Sequence, residues 1–397
     1  MPKQHDAADG SLGIALVGTR GVPASYGGFE TAVEEVGRRL ADRGHTVIVY
    51  GRDAGEAGDH YLGMRRVTLP AVRKKALETP SHTAISVVHA VARERPDVAF
   101  VFNAANSPFL PLLRAARIPV ALHMDGLEWK RSKWGNTGRS YYRRAEQFGV
   151  RVADALIADS PGISEYYEHQ FDAVTELIKY GAPQLHDAPT AGIAGLDLDA
   201  NGYHLVVARF EPENHVLEII DGYVRSNSAK PLVVVGSAPY SEQYTEAVQN
   251  LATSDDRVRL LGAVYDQQLL DALYFHAYTY VHGHSVGGTN PSLLRAIGAG
   301  TPVIGYDVSF NRDVVDGQGW FFTDADDVAA ALEAAEASQN EVARLGEVLR
   351  ERAATHYTWD GVTDQYEDLA KRLHDGASVH RNHRRARRNP VEWSPRG

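Results

Sequence analysis

The feature that most limits the fold of this chain is a repeated alternation of short apolar runs with amphipathic, helix-like segments. The first half carries apolar runs at 13–18, 46–50, 98–102, 119–124 and 154–159, and a second series follows at 204–209, 231–236, 257–262, 277–283 and 301–307. Continuous apolar runs separated by helical segments are typical of a parallel sheet covered by helices on both faces. The sequence therefore predicts two doubly wound α/β domains.

The two series are separated by residues 181–202, which lack a regular apolar period. We interpret this stretch as the linker between an N-terminal domain at 12–180 and a C-terminal domain at 203–375. Residues 1–11 are polar and residues 376–397 are basic, and both ends are expected to be disordered. Ligands of open parallel sheets bind beyond the carboxyl ends of the strands, so the expected active site is a cleft between the two domains.

Composition excludes several classes of protein. The 397 residues include 41 Lys and Arg against 51 Asp and Glu, and the resulting net charge of −10 argues against a general nucleic-acid binder. The chain has no cysteine, which excludes disulfides, thiolate-bound zinc and a cysteine nucleophile. The sequence shows neither an apolar signal segment nor a run of roughly 20 apolar residues, so a cytoplasmic protein is expected.

A glycine-rich loop lies between the first predicted strand and a helix, at VGTRGVPASYGGFE, residues 17–30. It matches neither G-x-G-x-x-G nor a P-loop. Gly27 and Gly28 stand just before the helix, where free N–H groups and absent side chains suit the close approach of an anion. The alternative is a tight turn that needs glycine for its dihedral angles. The helix is predicted from one apolar face, formed by Phe29, Ala32, Val33, Val36 and Leu40.

A second glycine-rich loop, VHGHSVGGTNPSLL at residues 281–294, repeats this arrangement in the C-terminal half. Gly287 and Gly288 lie in the loop, and Asn290 followed by Pro291 predicts the cap and first turn of a helix. One such loop in each half suggests two sides of a ligand that carries a phosphate or diphosphate.

Charged and titratable side chains near these loops are further candidates. Arg209 follows the strand in VVARFEPENH, where it can clamp a diphosphate or pair at the surface with Glu211 or Glu213. His282 and His284 have the spacing of metal ligands on a strand. No third ligand is evident from the sequence, so no metal site is predicted.

Four motifs in order, GTRGVPASYGGFET, HMDGLEWKRSKWG, VARFEPENH and VHGHSVGGTNPSLL, resemble those of the retaining nucleotide-sugar glycosyltransferases of glycosyltransferase family 4, in particular its rhamnosyltransferase-like bacterial branch. The resemblance covers about residues 12–375. It implies the GT-B fold, in which a Rossmann-like acceptor domain and a Rossmann-like donor domain face each other across a cleft. It also implies transfer of L-rhamnose from dTDP-rhamnose to a glycan or lipid-linked saccharide in polysaccharide synthesis, with neither metal nor other cofactor.

The resemblance implies roles for individual residues. Gly27 and Gly28 would approach the donor diphosphate, and Arg209 would stabilise the charge that develops on the leaving nucleotide. His123 would lie beside the donor sugar, with Asp125 following it into the site; a core histidine satisfied by the backbone is the alternative. Further donor contacts are expected from the second loop and the ends of two strands: Gly287, Gly288, Thr289, Asn290, Ser292, Arg295, Gly236 and Val264.

Two departures from the family pattern bear on catalysis. Many members carry a lysine a few residues after the clamp arginine, where this chain has Asn214 and His215, and two frequent glutamates correspond to Gly287 and Arg295 here. A positive charge and a carboxylate contact to the ribose are therefore missing. Two alternatives to sugar transfer remain. A nucleotide-sugar epimerase of the same fold needs carboxylates that the loop lacks, and a degenerate scaffold is favoured by these substitutions but opposed by Arg209 and the glycine loops.

Residues 126–146 combine aromatic and basic side chains. Aromatic rings stack on sugars or lie at a bilayer interface, and basic groups attract phosphate head groups. This composition predicts a side that contacts a lipid-diphosphate-linked acceptor and the inner face of the plasma membrane; a solvated helix with internal packing is the alternative. The tail at 376–397 is a second candidate for weak lipid contact. The residues assigned to the acceptor or membrane side are Glu128, Trp129, Lys130, Arg131, Lys133 and Trp134.

Overall fold

The computed structural model describes residues 10–24, 28–52, 58–72, 77–124, 126–130, 134–237 and 241–379. The chain divides into two compact units. The first comprises the residues up to Trp129, Trp134–Ile178 and the segment that begins at Asp360, and the second is built on Lys179–Trp359. Most of the N-terminal segment 1–11 and of the tail 376–397 lies outside the described residues.

The first unit is built on one sheet. Its described strands are β1 (Gly13–Val17), β2 (Thr46–Gly51), β3 (His60–Tyr61), β4 (Met64–Thr68), β5 (Val98–Phe102), β6 (Val120–His123), β7 (Ala155–Ala158) and β8 (Glu176–Leu177). Their order across the sheet is β3-β4-β2-β1-β5-β6-β7-β8. Only the pairing of β3 with β4 is antiparallel among these described strands. The sheet therefore has the doubly wound pattern with one hairpin added at its edge.

Helices cover both faces of this sheet, and as a result every residue of the central strand β5 is buried. The first helix begins directly after the first glycine-rich loop and is amphipathic, with the predicted face of Ala32, Val33, Val36 and Leu40 buried. The helices of the first unit that precede residue 179 are α1 (Gly28–Asp42), α2 (Glu78–His89), α3 (Leu110–Ala115), α4 (Asn136–Val152) and α5 (Pro161–Phe171).

The second unit has a parallel sheet. Its described strands are β9 (His204–Val207), β10 (Leu232–Val235), β11 (Val258–Gly262), β12 (Thr279–His282), β13 (Val303–Tyr306) and β14 (Trp320–Phe322), in the order β11-β10-β9-β12-β13-β14. The later helices of the chain are α6 (Ala191–Ala194), α7 (Val216–Arg225), α8 (Glu242–Ala252), α9 (Gln267–Phe275), α10 (Pro291–Ala299), α11 (Ser309–Val315), α12 (Ala325–Ala337), α13 (Gln339–His356) and α14 (Trp359–His374).

The predicted fold class of two parallel-sheet α/β domains is confirmed, since each of the ten apolar runs contains a strand. The strands that the sequence did not reveal are β3, β4, β8 and β14. β3, β8 and β14 have two or three residues and lie at sheet edges, while the five-residue strand β4 carries Arg65 and Arg66 in place of a continuous apolar run. Edge strands are buried less than central ones, so their sequences do not need that run.

Helix α14 packs on the first unit, which differs from the predicted boundary that placed 203–375 in one domain. Tyr366 meets the ring of Phe100 edge-on with the centroids 5.1 Å apart. Arg372 pairs with Glu176 at 2.9 Å. The amphipathic pattern of α14 shows which face is buried but not which sheet receives it, so the sequence alone could not assign the helix to a unit.

The stretch predicted as a linker, 181–202, packs along the second unit. The backbone N–H of Leu185 donates to the carbonyl of Gly298 at 3.1 Å, and His276 Nε2 donates to the carbonyl of Ala188 at 2.9 Å. The segment also contains the single-turn helix α6. Its irregular sequence thus reflects an extended, hydrogen-bonded path rather than a free connection.

Candidate active site

Arg209 lies two residues beyond β9, at the carboxyl edge of the second sheet. Its Nη2 is 3.4 Å from Oε2 of Glu211, whose side chain is 4% exposed, while 40% of the Arg209 side chain is exposed. The ion pair that the sequence left open is therefore present. Because the guanidinium is planar and has five N–H donors, a pairing through one nitrogen leaves donors that can reach an anion from solvent.

Asn214 joins the Arg209 loop to the second glycine-rich loop. It is buried at the end of the 3₁₀ turn Pro212–Asn214, and its Nδ2 donates to the carbonyl of Arg209 at 2.8 Å. Its Oδ1 lies 2.8 Å from Nδ1 of His284. A carboxamide oxygen can only accept, so His284 Nδ1 carries a hydrogen.

The second glycine-rich loop is shaped by two close approaches. A Cβ on Gly283 would lie 2.1 Å from the carbonyl oxygen of Asn214, so a side chain cannot be placed there. Gly287 has φ +129°, and a Cβ at that position would lie 3.3 Å from Nε2 of His284. The edge of the imidazole ring therefore faces the turn at Gly287, which leads through the buried pair Gly288 and Thr289 into α10.

The start of α10 uses its own polar groups internally. Asn290 caps the helix, and its Oδ1 accepts from the backbone N–H of Ser292 at 2.9 Å. The Ser292 hydroxyl lies close to the buried phenols of Tyr274 and Tyr280. Pro291 has no N–H to offer. Ser292, predicted as a donor contact, thus contributes to the helix start and the core.

Arg295 was expected near the donor because it replaces a frequent glutamate. In the structure its Nη1 is 2.5 Å from Asp271 Oδ1 and its Nη2 is 3.0 Å from Gln267 Oε1, both on α9. Burial raises the pKa of Asp271, although Arg295 acts in the opposite direction. The guanidinium charge of Arg295 is therefore balanced by the facing helix α9.

Gly236 and Val264 follow β10 and β11 at the same sheet edge as Arg209. A Cβ on Gly236 would lie 1.8 Å from the carbonyl oxygen of Ala208, and its N–H donates to the carbonyl of Gly262 at 2.9 Å. Glycine is required there for the strand ends to approach each other. Because all these strands are parallel, Arg209, Gly236, Val264 and the second glycine-rich loop share one edge of the sheet.

His123 ends β6 in the first unit and is 2% exposed. Its ring is stacked on Phe102 with centroids 5.4 Å apart, and Phe29 meets it edge-on at 5.1 Å. Burial lowers the pKa of His123 to about 4, so the imidazole is neutral at pH 7. The place of His123 beside the donor sugar stays a prediction, and its neighbour Asp125 lies outside the described residues.

The first glycine-rich loop is held by carboxylates of α1, which the sequence did not reveal. Glu30 Oε1 accepts from the backbone N–H of Arg20 at 3.0 Å, and Glu34 Oε2 accepts from that of Ala24 at 2.6 Å. Burial raises the pKa of Glu30. Gly21 has φ +99°, and a Cβ there would lie 2.6 Å from Cα of Gly51, so glycine is required where the loop approaches the end of β2. Gly28 begins α1, and Gly27 lies outside the described residues.

Most of the described aromatic groups assigned to the acceptor or membrane side are packed internally. Glu128 is buried and accepts from Trp134 Nε1 at 3.3 Å. The guanidinium of Arg143 lies 4.2 Å from the centroid of the Trp129 ring. Trp134 also packs against Tyr142, at 5.0 Å. Lys130 is exposed, while Arg131 and Lys133 lie outside the described residues.

Exposed apolar side chains lie on α3 and on the surface of α4. Leu112 is 48%, Tyr141 39% and Phe148 38% exposed. A shallow depression of about 340 Å³ on this surface is lined by Pro108, Tyr141, Arg144, Ala145 and Phe148. We call the three α4 residues Tyr141, Arg144 and Phe148 the α4 surface.

The described ranges contain neither a metal-binding cluster nor a membrane-spanning helix. No group of three or more His, Asp or Glu side chains in them is arranged to hold a metal ion. No helix among them is both long and apolar enough to cross a membrane.

Comparison with known proteins identifies both units. Residues 27–181 match the family model described as a glycosyl transferase 4-like domain, and residues 203–338 match the model of glycosyl transferases group 1. The chain is therefore a glycosyltransferase with the GT-B fold, built from these two domains in this order. No curated protein sequence matches it.

Solved structures share this fold at low sequence identity. Sucrose-phosphate synthase from Thermosynechococcus elongatus superposes with a TM-score of 0.78 at 21% identity, covering 91% of this chain and 98% of its own. HepE from Anabaena in complex with UDP-glucose superposes with a TM-score of 0.73 at 16% identity, and the match covers 91% of this chain and 100% of HepE. The UDP-forming α,α-trehalose-phosphate synthase from Burkholderia vietnamiensis superposes with a TM-score of 0.70 at 12% identity, and the match covers 90% of this chain and 99% of the synthase.

Proposed function

We propose that this glycosyltransferase moves a sugar from a nucleotide-diphosphate donor to a hydroxyl of a glycan or lipid-linked saccharide, with retention of the anomeric configuration. The observation that carries the proposal is the partly exposed side chain of Arg209, at the same sheet edge as the second glycine-rich loop. Among the structures with this fold, HepE is described with UDP and with UDP-glucose. The motif resemblance adds L-rhamnose from dTDP-rhamnose as the finer hypothesis.

The proposed mechanism relies on electrostatic stabilisation of the leaving group. The bond between the anomeric carbon and the diphosphate oxygen breaks, its electron pair stays on the diphosphate, and Arg209 stabilises that charge. The acceptor oxygen bonds to the anomeric carbon on the same face, and its proton passes to the departing diphosphate oxygen. No residue is assigned as a nucleophile, and neither a metal nor another cofactor is part of the proposal.

A nucleotide screen tests the donor class. We expect dTDP-, UDP- or GDP-sugar without added metal to raise the melting temperature, because a ligand that binds only the native state at 100 times its Kd adds about 2.7 kcal/mol of stability. A shift with one nucleotide identifies the base. No shift with any of the three would contradict transfer and favour the degenerate scaffold, while conversion of the donor alone to another nucleotide sugar would identify an epimerase.

We also propose that the α4 surface contacts the anionic inner face of the plasma membrane, where a lipid-linked acceptor is found. Exposed Tyr141 and Phe148 offer apolar groups of the kind that enter an interface, and Arg144 lines the same depression. This surface replaces the packed Trp129 and Trp134 as the proposed contact.

Vesicle flotation tests the membrane contact. We expect the protein to float with vesicles containing phosphatidylglycerol, and the double variant R144Q/F148S to bind them at least about 5-fold more weakly, because each arginine near an anionic surface contributes about 1 kcal/mol. The control is Val174→Ser, which removes an apolar side chain that is 70% exposed elsewhere on the first unit. Equal binding of the double variant and the wild type would overturn this part of the proposal.

A further inference from the structure

Asn214 stands where the resemblance to family 4 led us to expect a lysine, and its contacts show a different chemistry. Its amide donates to the carbonyl of Arg209 and accepts from Nδ1 of His284, each at 2.8 Å. A lysine ammonium has donors only, so it could not accept the N–H of His284. The exchange of lysine for asparagine thus replaces a cation with an acceptor that fixes the orientation of an imidazole.

Both the imidazole ring and the backbone carbonyl of His284 are held by hydrogen bonds. Its Nδ1–H is committed to Asn214, and its carbonyl accepts from Nδ2 of Asn311 at 2.9 Å. The other ring nitrogen, Nε2, faces the turn at Gly287, where an added Cβ would lie 3.3 Å away. A glutamate at position 287, frequent in the family pattern, would therefore place its side chain against this nitrogen. The two departures at 214 and 287 both serve the placement of one imidazole.

We propose that His284 supplies the second positive charge of the donor site, with Asn214 as its positioning residue. The inference rests on the proposed transferase function. As an imidazolium, His284 donates its Nε2–H to the diphosphate, whose negative charge favours the protonated ring. When the bond to the anomeric carbon breaks, the electron pair stays on the diphosphate, the proton stays on His284, and the hydrogen bond stabilises the new charge. The acceptor proton still passes to the diphosphate oxygen.

A pair of amide variants separates the two ring nitrogens. In His284→Asn the side-chain amide reproduces the Nδ1 donor to Asn214 but removes the group at Nε2, whereas in His284→Gln the amide reaches the Nε2 position. In His284→Asn we expect the ratio of the affinities for nucleoside diphosphate and nucleoside monophosphate to fall about 10-fold to 100-fold, because one hydrogen bond to a charged group is lost. His284→Gln is expected to retain part of that preference.

The measurement is calorimetric titration with UDP against UMP, dTDP against dTMP and GDP against GMP, using the nucleoside that binds the wild-type chain. His276→Ala is the matched control, because His276 is similarly buried but bonds to the carbonyl of Ala188, in the linker. An unchanged diphosphate preference in folded His284→Asn would overturn the inference while leaving the transferase proposal standing. If the wild-type chain binds no nucleotide, the transferase proposal fails first.

A second experiment exchanges the two cations. Adding Asn214→Lys to His284→Ala places the lysine expected from the family pattern beside the space left by the imidazole. We expect this double variant to recover at least about 10-fold of the diphosphate preference and of the kcat lost in His284→Ala, since one charge-assisted hydrogen bond replaces another. A double variant that is folded and recovers neither would contradict the role of His284 as the second cation.

Discussion

Replacing Arg209 with alanine is expected to lower kcat about 10²-fold to 10³-fold, the range found when one preorganised donor to a developing charge is removed. Because 40% of its side chain is exposed, the loss should come without a large change in melting temperature. The measurement is donor turnover with the nucleotide sugar identified by the melting screen, together with thermal unfolding of the same sample.

Two further variants make the result specific. Arg209→Lys keeps the charge but loses the planar pair of donors, so we expect an intermediate kcat. Arg344→Ala removes an arginine of the same unit that is 49% exposed and also ion-paired, in this case with Glu341 at 2.7 Å, and should leave kcat unchanged. An Arg209→Ala protein that is folded and turns over the donor at the wild-type rate would remove Arg209 from the mechanism.

The fold could be predicted from the sequence because a buried parallel strand is recognisable as a continuous apolar run. Residues 98–102 form a continuous apolar run and are all buried in β5. No local sequence pattern assigns α14 to the first unit, because the ring contact between Tyr366 and Phe100 joins positions far apart in the chain. Local periodicity predicts which residues are buried, whereas it carries no information on the partner that buries them.

The same limit applies to the candidate site. The cap at Asn290 was predictable because a side chain and the backbone N–H of Ser292 two residues later form it. The pairing of Arg295 with Asp271 and the link between Asn214 and His284 join separate elements, so neither has a local signature. For Arg295 the structure shows a bridge between α9 and α10, while its contact with the donor stays a prediction.

These long-range contacts change the interpretation of the missing charge. A sequence comparison counts Asn214 and Gly287 as two independent losses, which favours a degenerate protein. In the structure both positions lie next to one imidazole, since Asn214 holds Nδ1 of His284 and Gly287 lies beside Nε2. Coupled substitutions of this kind are expected where a function has been rebuilt with another residue, and the amide variants of His284 decide between the two interpretations.

The largest expected effect on stability is that of Glu336→Gln. Glu336 Oε1 accepts from His204 Nε2 at 3.0 Å, from Ser228 Oγ at 2.5 Å and from the backbone N–H of Lys230 at 3.1 Å. Its Oε2 accepts from the backbone N–H of Ala229 at 2.9 Å. A glutamine would turn an amide toward some of these donors and leave them unsatisfied. We expect a loss of about 2–4 kcal/mol in the free energy of unfolding at pH 7.

The pH dependence of this loss identifies its cause. Burial alone would raise the pKa of Glu336, but the hydrogen bonds from His204, Ser228 and the two backbone groups lower it to about 2. A carboxyl whose pKa is lower in the folded state than in the unfolded state stabilises the fold above the unfolded value, near 4.5, and loses that contribution as the pH falls toward 2. In urea titrations the difference between Glu336→Gln and the wild type should stay constant from pH 7 to about pH 5.5 and shrink below about pH 4.5. The control is Glu333→Gln, an exposed change on the same helix α12, which should change the free energy of unfolding only slightly and equally at every pH. A large difference for Glu336→Gln that stays constant down to pH 3 would assign its effect to packing instead of charge.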